Sequence, residues 1–323
     1  MKKKHNPFVR FWIEFYRLFR AALKEFQKDK ATKLSASLSY YTLFSLAPMI
    51  ILIIATTSIW FGKEAIEGYL YKQFDGLLGS AGSIQLQEMI SNVKISGDTP
   101  WLTAIGLVTL FFGATGVFIE IQDSINTIWS IKSKPRRSWV KFVLNRLLSF
   151  STIIAVGFLL LVSLAFSAVI SALNDRLFSA FADSAWWIFI ITNLITFIAV
   201  LGLFGFIYKV LPDATLAWRD VAAGAMLSSF LFLIGKYFIN LYLSNSNTIT
   251  AFGAAGALVL IILWVYYSSI ILFFGAEFTK VFANEYGGKI HPSPFAVFVK
   301  KEEVETNKPL NLDTNDPVKE PKT

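Results

Sequence analysis

Six long apolar stretches constrain this chain more than any other feature. They lie near residues 34–61, 101–125, 147–171, 186–208, 219–243 and 252–281. Each reaches the roughly 20 residues that a helix needs to cross the hydrocarbon of a bilayer. Hydrocarbon offers the backbone no water, so such a segment must satisfy its own hydrogen bonds as a helix. The pattern predicts an all-α polytopic membrane protein, a bundle of six transmembrane helices. Composition agrees, since 54% of the 323 residues are hydrophobic and 16% are charged, against about 25% charged in soluble domains.

The net charge of +8 has two readings, a nucleic-acid surface or basic cytoplasmic loops. Its distribution favours the loops. Residues 1–33 hold ten Lys/Arg against three acids, and loop 62–100 holds three against five. The next connection, KSKPRRSWVKFVLNR, holds six basic residues and no acid. Basic and non-basic loops go on alternating, which predicts both termini in the cytoplasm of a bacterial inner membrane and no nucleic-acid partner. No apolar core follows the basic N-terminus closely enough for a cleavable signal peptide. The absence of cysteine excludes disulfides, thiolate metal sites and cysteine nucleophiles.

Three regions lie outside the spans. Within the basic segment 1–33, Phe8, Phe11, Trp12, Phe15, Leu18, Phe19, Ala22 and Phe26 recur at helical spacing among arginines and lysines. That predicts an amphipathic helix, lying on the inner leaflet or packed on cytoplasmic loops. Loop 62–100 carries enough apolar periodicity for a small external helical cap. The segment 286–323 is charged and Pro-rich and reads as a disordered cytoplasmic tail. The loop and the tail are the candidate surfaces for a protein partner, and membrane lipids are the expected surroundings.

Ionisable residues inside apolar spans are costly and each raises a functional question. With 100° per residue, Gly113, Gly116, Glu120, Asp123 and Thr127 share one stripe of the second span. Glycines above carboxylates mean that this face meets another helix closely. Glu120 lies 19 residues in from Trp101, about 28 Å along the helix and close to the inner interface. Glu277 and Lys280 occupy a similar depth in the sixth span. Glu120, Asp123, Glu277 and Lys280 therefore form a candidate inner-face cluster, either a salt-bridged structural collar or a gate. Lys236 lies near the outer end of the fifth span, where it snorkels or contacts a headgroup or external anion.

The first span is polar for its first turns. Ser35, Ser39 and Thr42 form a stripe with Ser45 at its edge and Tyr41 beside it, and Pro48 kinks the helix. Such a stripe is either packing glue between helices or the wall of a polar cavity, which Asn193 and Asn240 would extend. Gly113, Gly116, Gly253 and Gly256 mark close helix packing.

Three motifs in order, KLSASLSYYTLFSLAPMIILIIA, FFGATGVFIEIQDSINTIW and FGAAGALVLIILWVYYSSIILFFGAEFTKVFA, resemble the YihY/BrkB family of bacterial inner-membrane proteins. The resemblance covers about residues 20–285 and implies six spans with cytoplasmic termini. It includes Tyr40, Tyr41, Ser45, Pro48, Gly113, Gly116, Gln122, Asp123, Asn126, Trp129, Pro212 and Glu277. Ser39 departs from the pattern, where a small apolar residue is expected. The family has carried a ribonuclease label, but the resemblance brings no catalytic residue set.

Three functions compete for these features. A transporter-like protein would move or position a lipid, another amphiphile or an ion. No G-x-x-x-x-G-K-[ST] motif is present to supply ATP hydrolysis. A nuclease requires clustered metal ligands beside a basic groove, and the two histidines, His5 and His291, lie far apart in the sequence. That argues against an enzyme, and no cofactor or metal is expected. A non-catalytic membrane organiser, binding partners through loop 62–100 or the tail, is the alternative.

Overall fold

The computed structural model describes residues 7–61, 68, 71, 84, 100–134, 185–245 and 248–300. The expected span 147–171 lies outside the described residues, as does the tail beyond 300. Of the loop 62–100, which holds the expected cap, only isolated positions are described.

Among the described residues the chain is mostly helical. The helices are α1 (Pro7–Lys28), α2 (Ala31–Phe61), α3 (Pro100–Ile128), α4 (Ala185–Val210), α5 (Trp218–Asn245) and α6 (Thr248–Tyr286). Stretches Trp218–Phe238 and Ile261–Tyr286 are long and apolar enough to cross a membrane. Each of α2, α3 and α4 also has at least 26 residues.

Helix α6 is the centre of the arrangement. Residues 271–279 are buried on every face, the pattern of a helix enclosed by others. Helices α1, α2, α3 and α5 all pack on it, α3 also packs on α2, and α4 packs on α5 and reaches α6 through Tyr208. The α5–α6 contact depends on small residues. A Cβ on Gly275 would fall 1.8 Å from Ser228 Oγ and 2.3 Å from Tyr208 Oη, and one on Gly224 would fall 1.8 Å from Thr279 Oγ1. The space goes to a buried hydrogen-bond chain in which Tyr208 Oη pairs with Ser228 Oγ and donates to the Leu272 carbonyl, each at 2.8 Å. Close approach with hydrogen bonds is how helices associate where lipid removes the hydrophobic drive.

Helix α1 keeps its expected amphipathicity but uses it in two ways. Leu18, Ala22 and Phe26 are buried, with Phe19 against Phe274 at 5.0 Å and Phe15 against Phe278 at 6.0 Å. It is therefore docked on α6, and its exposed apolar edge is Phe11, Trp12, Ile13 and Tyr16. The helices run in opposite directions, because Arg17 meets Glu285 at 2.6 Å while Asp29 meets Lys280 at 2.9 Å.

The expectation of disorder from residue 286 is corrected for residues 287–300. Strand β3 (His291–Pro292) pairs antiparallel with β2 (Ala214–Thr215). Strand β4 (Ala296–Phe298) pairs with β1 (Ile131–Ser133), with Ile131 opposite Phe298. These two ribbons also qualify the all-α expectation. Ile290 and Ala296 are buried, and backbone pairing supplies what composition did not show. Lys30, Ser130 and Lys289 adopt positive φ, at 54°, 56° and 62°, where the chain turns out of α1, α3 and α6. Left-handed residues are usual just past helix ends.

Candidate functional site

Helices α2 and α3 do not close completely along their shared face. Between them lies a cavity of about 540 Å³, lined by Tyr40, Tyr41, Phe44 and Ser45 of α2 and by Gly113, Gly116, Ile119, Glu120 and Asp123 of α3. Helical geometry explains the set. Residues 113, 116, 120 and 123 recur every three or four positions, so they face one neighbour. Above the carboxylates the backbones approach: a Cβ on Gly113 would lie 3.1 Å from Pro48 Cγ, and one on Gly116 would lie 3.3 Å from Ser45 Oγ. Pro48 has no N–H to donate into α2, which makes this the point where α2 bends most easily.

The remaining hydroxyls of the first-span stripe are turned into their own helix. Ser35 Oγ donates to the Ala31 carbonyl at 2.9 Å, Ser39 Oγ to that of Ser35 at 2.8 Å, and Thr42 Oγ1 to that of Leu38 at 2.7 Å. Of the five polar positions expected to wall a cavity on α2, the structure brings Tyr41 and Ser45 to it. Asn193 sits half-buried in α4, which packs on α5. The side chain of Asn240 and the surroundings of Gly253 and Gly256 lie outside the described residues. Lys236 is half-buried in α5.

The expected inner cluster divides in two. Glu120 and Asp123 line the cavity, whereas Glu277 and Lys280 belong to a separate ion network between α6 and α1. Lys280 Nζ donates to Glu25 Oε2 at 3.1 Å, Asp29 Oδ2 at 2.9 Å and Glu277 Oε2 at 3.1 Å. Carboxylate oxygens of Glu25, Asp29 and Glu277 all lie within 4.8 Å of one another. Glu277 is fully buried, and its second oxygen has no hydrogen-bond partner. One ammonium at the centre of three carboxylates holds α1 to α6. Of the four residues of the expected cluster, Glu277 and Lys280 take part in this network, whose other members are Glu25 in α1 and Asp29 just after it. Lys209, at the end of α4, donates to the Leu216 carbonyl and lies 5.6 Å from the Trp218 ring centroid.

A third polar centre was missed by sequence reasoning. Asp213, in the short connection after α4, accepts from Asn126 Nδ2 at 3.0 Å, from Gln122 Nε2 at 3.4 Å and from Ser133 Oγ. Its backbone N–H donates to Asn126 Oδ1 at 2.9 Å, and its carbonyl accepts from Ser293 N at 3.0 Å. One residue thus joins the end of α3, the β1 strand and the tail. The available signal was Gln122 and Asn126, two amides one turn apart on α3. Nearby, Trp129 Nε1 donates to the Ala276 carbonyl at 3.0 Å.

Residues 22–296 match the family described as Virulence factor BrkB. The chain is a member of the BrkB family. The match takes in α2 to α6, the end of α1 and strands β1 to β3. Among its BrkB-like relatives, a UPF0761 membrane protein of Aliivibrio salmonicida is 30% identical over 261 residues, covering 78% of each chain. One from Vibrio parahaemolyticus is 26% identical, covering 83% of this chain and 82% of its own. One from Psychrobacter is 27% identical across 87% of this chain, which spans only half of that longer relative. Those names describe membrane proteins and state no reaction. No solved structure matches the chain.

Proposed function

We propose that this BrkB-family member is a transporter-like protein of the bacterial cytoplasmic membrane. It moves or positions a lipid, another amphiphile or an ion across the bilayer without hydrolysing ATP itself. The observation that carries this reading is the cavity between α2 and α3. It is lined by carboxylates and hydroxyls in helices that are otherwise apolar, beside the Pro48–Gly113 contact. Ionisable residues inside a membrane bundle are expensive to maintain and by default mark a functional site. The charge alternation of the loops supports six spans with both termini in the cytoplasm.

In this reading α2 bends about Pro48 while α3 stays straight, so the cavity alternates between narrower and wider openings. The Lys280 network and the Asp213 centre hold α1, the tail and the ends of α3 and α4 as a fixed frame. Purified protein in liposomes tests the proposal. The expected outcome is protein-dependent redistribution of a labelled lipid or an ion flux, reduced when Glu120→Gln is introduced. Liposomes that show neither, with folded protein, contradict it.

A further inference from the structure

We infer that the cavity between α2 and α3 selects a positively charged ligand, an organic ammonium group carried on an amphiphile. The inference rests on the reading of that cavity as a substrate site and adds its chemistry. Three aromatic rings, Tyr40, Tyr41 and Phe44, line the α2 side, and the Glu120 carboxylate lines the α3 side. Among the described residues, the lining contains no lysine, arginine or histidine.

The rings are arranged as a corner. Tyr40 and Tyr41 stand nearly perpendicular, at 88° with centroids 5.9 Å apart. Phe44 lies 4.8 Å from Tyr40 at 54°. Positions 40, 41 and 44 are one turn of α2, so the helix itself presents the corner. Much of each ring remains accessible, with Tyr40 62% and Phe44 64% exposed. Aromatic faces attract a cation within about 6 Å of the ring centroid, and quaternary ammonium groups fit such rings best. Glu120 supplies the opposite charge in a half-buried setting, where attraction is stronger than in water.

Size agrees with a headgroup. A cavity of about 540 Å³ falls inside the roughly 300–1,000 Å³ of small-molecule sites. It admits an ammonium headgroup with the first part of its chain, while the apolar remainder stays among helices or in lipid. An anionic headgroup would meet Glu120 and the negative faces of the rings, which repel it.

The experiment uses the full chain in neutral maltoside micelles with a fluorescent alkyl-trimethylammonium probe. Unlabelled dodecyltrimethylammonium and dodecyl sulfate serve as competitors, with protein-free micelles as control. The expected result is saturable probe binding, displaced by the ammonium amphiphile at concentrations at least about tenfold below those of the sulfate. Glu120→Gln and the double variant Tyr40→Leu/Phe44→Leu should each weaken binding by about tenfold, a size typical of a lost charge or aromatic contact. Melting temperature confirms that each variant is folded. If sulfate competes as well as or better than ammonium, the charge selection is overturned while the transport reading stands. If no charged amphiphile binds saturably and liposomes show no flux, the cavity as a substrate site falls, and this inference with it.

Discussion

Gly113 and Pro48 sit face to face, and a Cβ on Gly113 would lie only 3.1 Å from Pro48 Cγ. A close approach of α2 and α3 therefore coincides with the one proline of α2. A larger residue at position 113 has to push against α2 at Pro48. Gly113→Val should destabilise the protein by about 1–3 kcal/mol, the range for overpacked contacts. It should also reduce liposome flux by more than the stability loss explains. Thermal unfolding and flux measured on the same preparation check both.

The α5–α6 contact should be stricter. A Cβ on Gly275 would meet Ser228 Oγ at 1.8 Å and Tyr208 Oη at 2.3 Å. Gly275→Ala should cost about 1–3 kcal/mol through overpacking and loss of a buried hydrogen-bond chain. Ser228→Gly, which removes the nearest obstruction, should recover part of that cost. A double-mutant cycle measures the coupling, and additive effects would contradict the close contact.

Lys280 should be the most sensitive charge in the frame. Its removal takes away the cation that Glu277, fully buried, shares with Asp29, while Glu25 keeps Lys28 at 3.5 Å. Lys280→Met should destabilise by about 3–5 kcal/mol, the size seen when one member of a buried ionic set is removed. Pairing it with Glu277→Gln should restore much of the loss, since the buried charge goes too. Melting temperatures in detergent give the comparison.

Asp213 makes a prediction about the tail. Its carbonyl accepts from Ser293 N at 3.0 Å, and its carboxylate accepts from Asn126 and Ser133. Asp213→Ala should raise backbone hydrogen exchange across residues 291–298 while leaving α5 and α6 protected. Truncation after residue 300 should leave the ribbons intact, whereas truncation after 286 should lower the melting temperature.

How much of this was legible in the sequence depended on which physical signal carried it. Apolar runs located the long helices α2 to α6, because hydropathy and length act along one segment. Helical spacing placed Gly113, Gly116, Glu120 and Asp123 on one face, and the structure gathers them on one cavity. The same depth argument grouped Glu277 with them, and there it failed. Depth along a span says nothing of azimuth, and α6 turns Glu277 toward α1 while α3 faces α2. Spacing left Ser35, Ser39 and Thr42 as either packing glue or a polar wall, and their hydroxyls bond to carbonyls one turn back, a local choice that spacing does not reveal. The tail was summed as one charged block, which hid a stretch that pairs with β1 and β2. Asp213 vanished in a loop whose charges balance, because a charge sum records no partner.

If the protein transports, the space between α2 and α3 is a solute-accessible site inside the membrane domain. The chain has no cysteine, so Ile119→Cys places a single thiol on the cavity lining and Phe230→Cys places one on the exposed side of α5. The measurement is the labelling rate of each thiol in membranes by a membrane-impermeant methanethiosulfonate, with and without alkyl-trimethylammonium. The expected result is that Ile119→Cys reacts, that Phe230→Cys in lipid does not, and that the ammonium amphiphile slows the first reaction. Equal inertness of both thiols, or reaction at Ile119→Cys untouched by any amphiphile or ion, would contradict it.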